Sequence, residues 1–217
     1  MIFRNKNKTK IFCIGQNKTG TTSIKIFFKD HGFTVGKQRK AELLLDEYSN
    51  RNWKPILKYC KTAQVFQDIP FSNDYLYALL DHYFPNAKFI LTQRTTSEDW
   101  YNSITKFHTK LFGKDGEIPT KEDLQKGEYI YKGFIWKSFY EKYGETPNDI
   151  YNKAALIEKY ETRNEAIKKY FKNKNNLLVL DIAENESVKK LADFIGIEPK
   201  YNTFPWENRT AELKHKK

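Results

Sequence analysis

The stretch that decides the fold is Gly15-Gln-Asn-Lys-Thr-Gly-Thr-Thr-Ser23. Before it, residues 10–15 form a short apolar run that predicts a buried strand. After it, apolar residues recur at helical spacing through residues 21–31. Glycines let the backbone curl around an anion, and the first turn of a helix presents unpaired N–H groups to phosphate oxygens. The stretch therefore predicts a phosphate-binding loop between a strand and a helix.

The position of the lysine distinguishes this loop from that of the nucleoside triphosphatases, which is Gly-x-x-x-x-Gly-Lys-Ser/Thr. Gly15 and Gly20 have the triphosphatase spacing, but Thr21 stands where the lysine belongs, and the lysine is Lys18. A small-molecule kinase also needs a magnesium-binding acid after a strand, for which Asp181 is a poor candidate. A P-loop kinase is therefore an alternative interpretation rather than the preferred one.

Further apolar runs predict strands at residues 63–67, 88–93 and 177–181. Between them, periodic segments predict helices at residues 41–48, 53–60, 72–84, 97–112, 151–171 and 184–195, with Ser72 as the cap of the third. Alternating strands and helices favour a parallel sheet covered by helices on both faces. Ligands bind beyond the carboxyl ends of such strands, where residues 15–23, 67–70 and 93–103 lie.

The charge balance favours anionic partners without naming one. The net charge is +11 with 16% aromatic residues, so a basic nucleic-acid-binding module is a second alternative. No nucleic-acid recognition motif is visible, and that alternative leaves the phosphate loop unexplained. We therefore predict no nucleic-acid partner.

The cysteines and the lengths of the apolar stretches argue against a disulfide-bonded, a metal-binding or a membrane-spanning protein. Two cysteines, Cys13 and Cys60, give no disulfide framework, and no Asp, Glu or His cluster has metal-ligand spacing, so we expect no metal. The first ten residues are polar, and no window has the apolar length of a membrane span. We expect a cytoplasmic protein without a membrane span.

Two segments together resemble the cofactor site of sulfotransferases that use 3′-phosphoadenosine 5′-phosphosulfate (PAPS). Lys18-Thr-Gly-Thr-Thr-Ser23 resembles the family's 5′-phosphosulfate loop. Phe89-Ile-Leu-Thr-Gln-Arg94, followed by Trp100-Tyr-Asn-Ser103, is similar to its 3′-phosphate segment. Shorter segments similar to the family lie at residues 66–70, 84–88, 178–181, 194–196 and 204–208, so the likeness covers nearly the whole chain.

The resemblance implies an α/β, P-loop-type three-layer fold with a central parallel sheet flanked by helices, as one domain over residues 1–217. It implies an enzyme that moves a sulfuryl group from PAPS, leaving PAP, to a hydroxyl or amine of a small-molecule or glycan acceptor. The aromatic, basic segment 113–150 is a candidate lid or acceptor wall, although ordinary helix packing explains the same aromatics equally well. The acceptor and the oligomeric state stay open.

The resemblance also assigns the cofactor-binding residues, with Lys18 both binding and stabilising the leaving phosphate. They are Lys18, Thr19, Gly20, Thr21, Thr22, Ser23, Arg94 and Ser103. Ser97 competes with Ser103 for the 3′-phosphate, because residues 95–97 replace the family's usual turn. The family's glycine-rich basic loop is not visible, and Arg209 is a weak stand-in for it.

The sequence offers two candidates for the general base of the predicted site. Well-known cytosolic members have a histidine at the end of the strand before a proline turn, where this chain has Asp68 in Gln67-Asp-Ile-Pro70. A carboxylate can act as the base if partial burial raises its pKa. Asp68 could instead cap the next segment or pair with Lys18, and His108 is the alternative base.

Overall fold

A computed structural model describes residues 9–146 and 149–205 of the 217-residue chain. The four strands are β1 (Ile11–Cys13), β2 (Val65–Gln67), β3 (Lys88–Gln93) and β4 (Leu177–Asp181). The helices of the first half are α1 (Thr21–Asp30), α2 (Gln38–Glu42), α3 (Leu45–Ser49), α4 (Trp53–Tyr59) and α5 (Leu76–Tyr83). Those of the second half are α6 (Ser97–Phe112), α7 (Lys121–Lys126), α8 (Phe134–Tyr143), α9 (Lys153–Phe171) and α10 (Ser187–Ile195).

The strands form one all-parallel sheet in the order β2-β1-β3-β4. Phe12 in the central strand pairs with Phe66 on one side and with Phe89 on the other. Because β1 lies between β2 and β3, the loop after β1 lies between the carboxyl ends of both neighbours. The predicted α/β architecture with a central parallel sheet is confirmed.

Alternate residues of the strands pack against helices on opposite faces, as the period of a strand requires. On one face Phe12 and its neighbouring strands contact residues of α4, α5 and α9, and the Phe12 ring lies 5.6 Å from that of Phe66 and 5.6 Å from that of Phe89. On the other face Ile11 and Cys13 pack with Phe27 of α1 and with residues of α10. Burial on both faces explains why the strands are continuous apolar runs.

The segment 113–150 contains two short helices rather than irregular chain. Residues of α7 and α8 pack with α6 and α9 around the buried Trp100. The members of this third cluster include Leu124, Phe139, Tyr143, Tyr151, Leu156 and Tyr160. Helices this short cover few turns, which is why the sequence shows no clean period there.

The prediction of a helix that begins at Ser72 is wrong. The Ser72 N–H donates to the carbonyl of Asp68 (2.9 Å), and Asn73 N–H donates to that of Pro70 (2.9 Å), so the chain turns there. The helix begins only at Leu76, after Tyr75 in a left-handed conformation (φ 57°). The predicted helix at residues 41–48 is divided between α2 and α3, and α9 and α10 begin two and three residues later than predicted.

No helix in the described part of the chain is long and apolar enough to cross a membrane.

Candidate active site

The loop after β1 contains one glycine whose surroundings leave no room for a side chain, and two residues in the left-handed conformation. A Cβ atom on Gly15 would lie 2.0 Å from Thr92 Oγ1 and 2.5 Å from the Thr92 carbonyl oxygen, so the loop crosses β3 in direct backbone contact. Lys18 (φ 68°) and Gly20 (φ 95°) both adopt left-handed conformations, which curl the chain into the start of α1. The close approach and the two left-handed residues fix the predicted loop geometry.

The inner side of this loop is tied to the core. The Thr19 hydroxyl donates to the carbonyl of Gln16 (2.6 Å) and shares a hydrogen bond with Thr92 Oγ1 (2.6 Å), and Thr19 is fully buried. The Gln16 side chain accepts a hydrogen bond from Tyr143 (3.0 Å), and Arg163 donates to the Ile14 carbonyl (2.9 Å). The Thr19 side chain therefore faces inward, unlike the other predicted cofactor-binding side chains of the loop.

The outer side of the loop opens into a cleft of about 1000 Å³. The predicted site residues that line it are Lys18, Gly20, Thr21, Thr22, Ser23, Asp68, Arg94, Ser103 and His108. Helix α1 has no side-chain cap and no acid in its first turn, so the positive end of its dipole favours an anion there. The Ser23 hydroxyl already donates to the Pro205 carbonyl (2.9 Å).

Arg94 joins the end of β3 to the loop after β1. Its Nε atom donates to the Lys18 carbonyl (2.8 Å), and its backbone N–H donates to the Tyr160 hydroxyl (3.1 Å). Trp100 stacks on Tyr160 with ring centroids 4.3 Å apart and donates from Nε1 to the Asn17 carbonyl (3.2 Å). The arginine is therefore held at the cleft by the loop on one side and by α9 on the other.

The structure places the two competing serines differently. Ser103, on α6, lines the cleft together with Lys106 and Phe107. Ser97 lies at the start of α6, and its hydroxyl donates to Glu161 of α9 (2.5 Å). Ser97 is not part of the cleft lining. The six-position separation turns Ser103 to another face of the helix, which favours Ser103 for contact with a ligand.

Lys18 projects over the ring of Phe107, with Nζ 4.3 Å from the ring centroid. Burial, together with the positive charge of Arg94, lowers the pKa of Lys18 to about 8. The ammonium form still predominates at pH 7, and a bound anion would strengthen it. The cleft thus holds a desolvated cation beside the start of α1.

Asp68 follows β2 and faces the same cleft, in a left-handed conformation (φ 62°) just before Ile69. Its Oδ1 atom accepts hydrogen bonds from Asn17 Nδ2 (2.7 Å) and from the Ile69 N–H (3.0 Å). Its Oδ2 atom accepts one from Gln38 Nε2 (3.0 Å). Asn17 adjoins Lys18 in the chain, so the carboxylate is hydrogen-bonded directly to the loop after β1.

A second carboxylate, Glu42, lines the cleft and was missed in the sequence. The Gln38 Nε2 atom that binds Asp68 also donates to Glu42 Oε1 (3.1 Å), so one amide holds both acids. Tyr129 donates to Glu42 (3.3 Å), and Arg39 pairs with it (3.2 Å). Burial raises the pKa of Glu42, and the Asp68 carboxylate raises it further. No local motif marks Glu42, because its role arises only where α2 meets β2.

His108 also lines the cleft, but its surroundings weaken it as a base. Its Nδ1 atom forms a hydrogen bond with the Tyr151 hydroxyl (2.7 Å), and the rings of Phe112 and Phe139 flank it. Burial lowers the pKa of His108 to about 3, and the charges of Lys142 and Lys18 contribute. An imidazole with so low a pKa is a weak base, which counts against His108 as the general base.

The segment 113–150 forms one wall of the cleft. Tyr131 and Lys137 both hydrogen-bond Asp46 of α3, which fastens the segment to the first half of the chain. Its contributions to the lining include Tyr129, Phe134, Ile135, Ser138, Phe139, Lys142 and Tyr143. The wall is mainly aromatic and aliphatic, with Lys142 as a buried charge.

Two predicted features give no further positions for the site. Arg209 and residues 206–208 lie outside the described residues. Within residues 9–146 and 149–205, no group of three or more His, Cys, Asp or Glu side chains could hold a metal ion.

Comparison with known families agrees with the resemblance carried by the loop and by Arg94. A family model described as a sulfotransferase domain matches residues 10–213. No curated protein matches the chain. Because the family match spans nearly the whole chain, including every residue of the cleft, the protein belongs to the sulfotransferase domain family.

Proposed function

We propose that this protein transfers a sulfuryl group from PAPS to a hydroxyl or amine of a small-molecule or glycan acceptor. The observation that carries the proposal is the meeting of Lys18 and Asp68 in one cleft, linked through Asn17. A cation for the leaving group and a base for the acceptor are the two functions that this transfer requires.

The cofactor end of the cleft fits a nucleotide with two phosphate groups. Residues 21–23 and the first N–H groups of α1 suit the 5′-phosphate, and Arg94 with Ser103 suits the 3′-phosphate. Gly20 belongs to this cradle, since a Cβ there would lie 2.3 Å from Ile182 Cδ1. Thr19 contributes only through its backbone position in the loop, because its hydroxyl is already hydrogen-bonded to Gln16 and Thr92.

When bound, PAPS supplies an activated sulfuryl group. In the proposed reaction the bond from sulfur to the bridging phosphate oxygen breaks, and its electron pair stays on the phosphate of PAP, where Lys18 neutralises it. A new bond joins sulfur to the acceptor oxygen or nitrogen. The acceptor proton passes to Asp68, which the Asn17 and Gln38 amides hold in place.

The acceptor end of the cleft is assigned to the segment 113–150. Its aromatic side chains, which include Tyr129, Phe134 and Phe139, can pack against a small acceptor.

The kinase alternative is less well supported by the same residues. Thr21 stands in place of the triphosphatase lysine. Asp181, the candidate magnesium ligand, is 3% exposed and accepts hydrogen bonds from Thr95 (2.6 Å) and from the Ala183 N–H (2.9 Å). It does not line the cleft.

The decisive experiment is a calorimetric titration of PAP and of ATP, each with and without magnesium. We expect PAP to bind much more tightly than ATP and to do so without magnesium, because the site has the charges for a 3′-phosphate and no triphosphatase lysine. Magnesium-dependent binding of ATP together with no binding of PAP would overturn the sulfotransferase proposal in favour of the kinase.

A further inference from the structure

Lys142 is a buried cation of the cleft that has no role in the reaction proposed above. It lies near the end of α8, is 8% exposed and lines the cleft. Within the described ranges its one hydrogen-bond acceptor is Asn17 Oδ1. An ammonium group carries three N–H donors, and a buried charge is costly unless its donors are satisfied. Two donors are therefore left for a ligand in the cleft.

Asn17 hydrogen-bonds Lys142 and also lies next to the other two reacting groups. The Asn17 amide accepts from Lys142 through Oδ1 and donates to Asp68 through Nδ2. The next residue in the chain is Lys18. Lys142 and Lys18 are both close enough to His108 to lower its pKa. Lys142, Lys18 and Asp68 therefore surround one small region of the cleft.

We propose that Lys142 binds the sulfuryl group itself, as a second cationic subsite beside Lys18. This inference rests on the proposed function. Lys18 acts on the oxygen that leaves with PAP, whereas Lys142 donates to the oxygens that remain on sulfur during transfer. The group in flight carries negative charge on these oxygens, and fixed donors in a desolvated site stabilise such charge strongly.

The surroundings of Lys142 keep it charged at neutral pH. Burial lowers its pKa to about 8, and Arg163 acts in the same direction. The carboxylates of Asp68, Asp74 and Glu42 oppose that shift, with Asp68 the strongest. The side chain therefore offers an ammonium group that a bound oxyanion would complete.

An anionic substituent of the acceptor is the other oxyanion that could meet Lys142. The two sources differ in when they reach the protein, since the sulfuryl group arrives with PAPS and an acceptor group arrives separately. PAP, which lacks the sulfuryl group, gives the matched ligand for separating them.

The test measures the affinities of PAP and PAPS, without acceptor, for Lys142→Met, which keeps most of the side-chain length and removes the charge. We expect PAP affinity to stay within about twofold and PAPS affinity to fall about 10- to 100-fold, as for a lost hydrogen bond to a charged group. We expect turnover to fall about 10²-fold or more and Lys142→Arg to recover part of both losses. Lys159→Met, which changes an exposed lysine of α9 outside the cleft lining, should bind both ligands as the unchanged protein does.

Three results would overturn the inference. Equal loss of PAP and PAPS affinity would mean that Lys142 only supports the loop through Asn17. Unchanged affinity for PAPS with a raised KM for the acceptor alone would assign Lys142 to an acceptor group. Unchanged binding and turnover would remove it from the reaction. If the methionine variant fails to fold, Lys142→Gln replaces it. Failure of the unchanged protein to bind PAP would instead contradict the proposed function.

Discussion

The substitution Asp68→Asn separates the proposed base from the structure around it. Asparagine has the same shape and accepts the left-handed conformation that Asp68 adopts (φ 62°), so the backbone should not move. Its carbonyl oxygen can keep the hydrogen bonds from Asn17 and from the Ile69 N–H. Its amide group, however, then faces Gln38 Nε2, which is also a donor.

The magnitudes follow from these contacts. Gln38 cannot turn its amide without losing the bond that Oε1 accepts from Gln67 (3.2 Å), so one charged hydrogen bond is lost. The free energy of unfolding should fall by about 1.5–3 kcal/mol. Loss of the base should lower turnover by about 10²–10⁴-fold, which corresponds to a barrier about 2.7–5.4 kcal/mol higher. Affinity for PAP should survive, because no cofactor-binding residue is changed.

The assay measures turnover with PAPS and an alkyl alcohol or sugar acceptor, beside calorimetry with PAP and chemical denaturation. A phenol that is already ionised would hide the loss of a base, so it must not be the acceptor. Asp46→Asn is the matched control, because Asp46 contacts Tyr131 and Lys137 of the cleft wall but does not line the cleft. Near-full turnover of Asp68→Asn on an un-ionised hydroxyl would refute the assignment.

The remaining predictions concern the cofactor end of the cleft. Arg94→Ala should weaken PAP binding by about 1.5–3 kcal/mol, the scale of a hydrogen bond to a charged group, and unchanged affinity in calorimetry would remove Arg94 from the 3′-phosphate site. Lys18 acts as a cation with a pKa lowered to about 8, so kcat/KM should fall as pH rises through about 8, whereas a rise would contradict its role at the leaving oxygen. Gly15→Ala should lower the free energy of unfolding by about 1–3 kcal/mol, because its Cβ meets the Thr92 backbone. Gly127→Ala, where the nearest atom to a Cβ is 3.3 Å away, should cost clearly less in the same denaturation experiment.

Features that depend on neighbours in the chain were predictable from the sequence. The strand at residues 88–93 and the helix at residues 97–112 have the bounds that were predicted, because apolar period and capping residues act over a few positions. The glycines of the segment 15–23 likewise predicted a curled loop after β1, where Lys18 and Gly20 are left-handed. The order of the alternating elements was enough to predict a parallel sheet.

Features that depend on the rotation and docking of whole elements were decided only by the tertiary structure. Ser97 and Ser103 belong to one predicted helix, and the docking of α6 on α9 turns the first to Glu161 and the second to the cleft. Glu42 and Lys142 carry no local signal, because they reach Asp68 and Asn17 from elements distant in sequence. Desolvation then sets the pKa of Lys18 and of Glu42, and burial is a property of the assembled core. The sequence thus determined the loop after β1 and the sheet that carries it, whereas long-range packing determined which side chains surround the cleft.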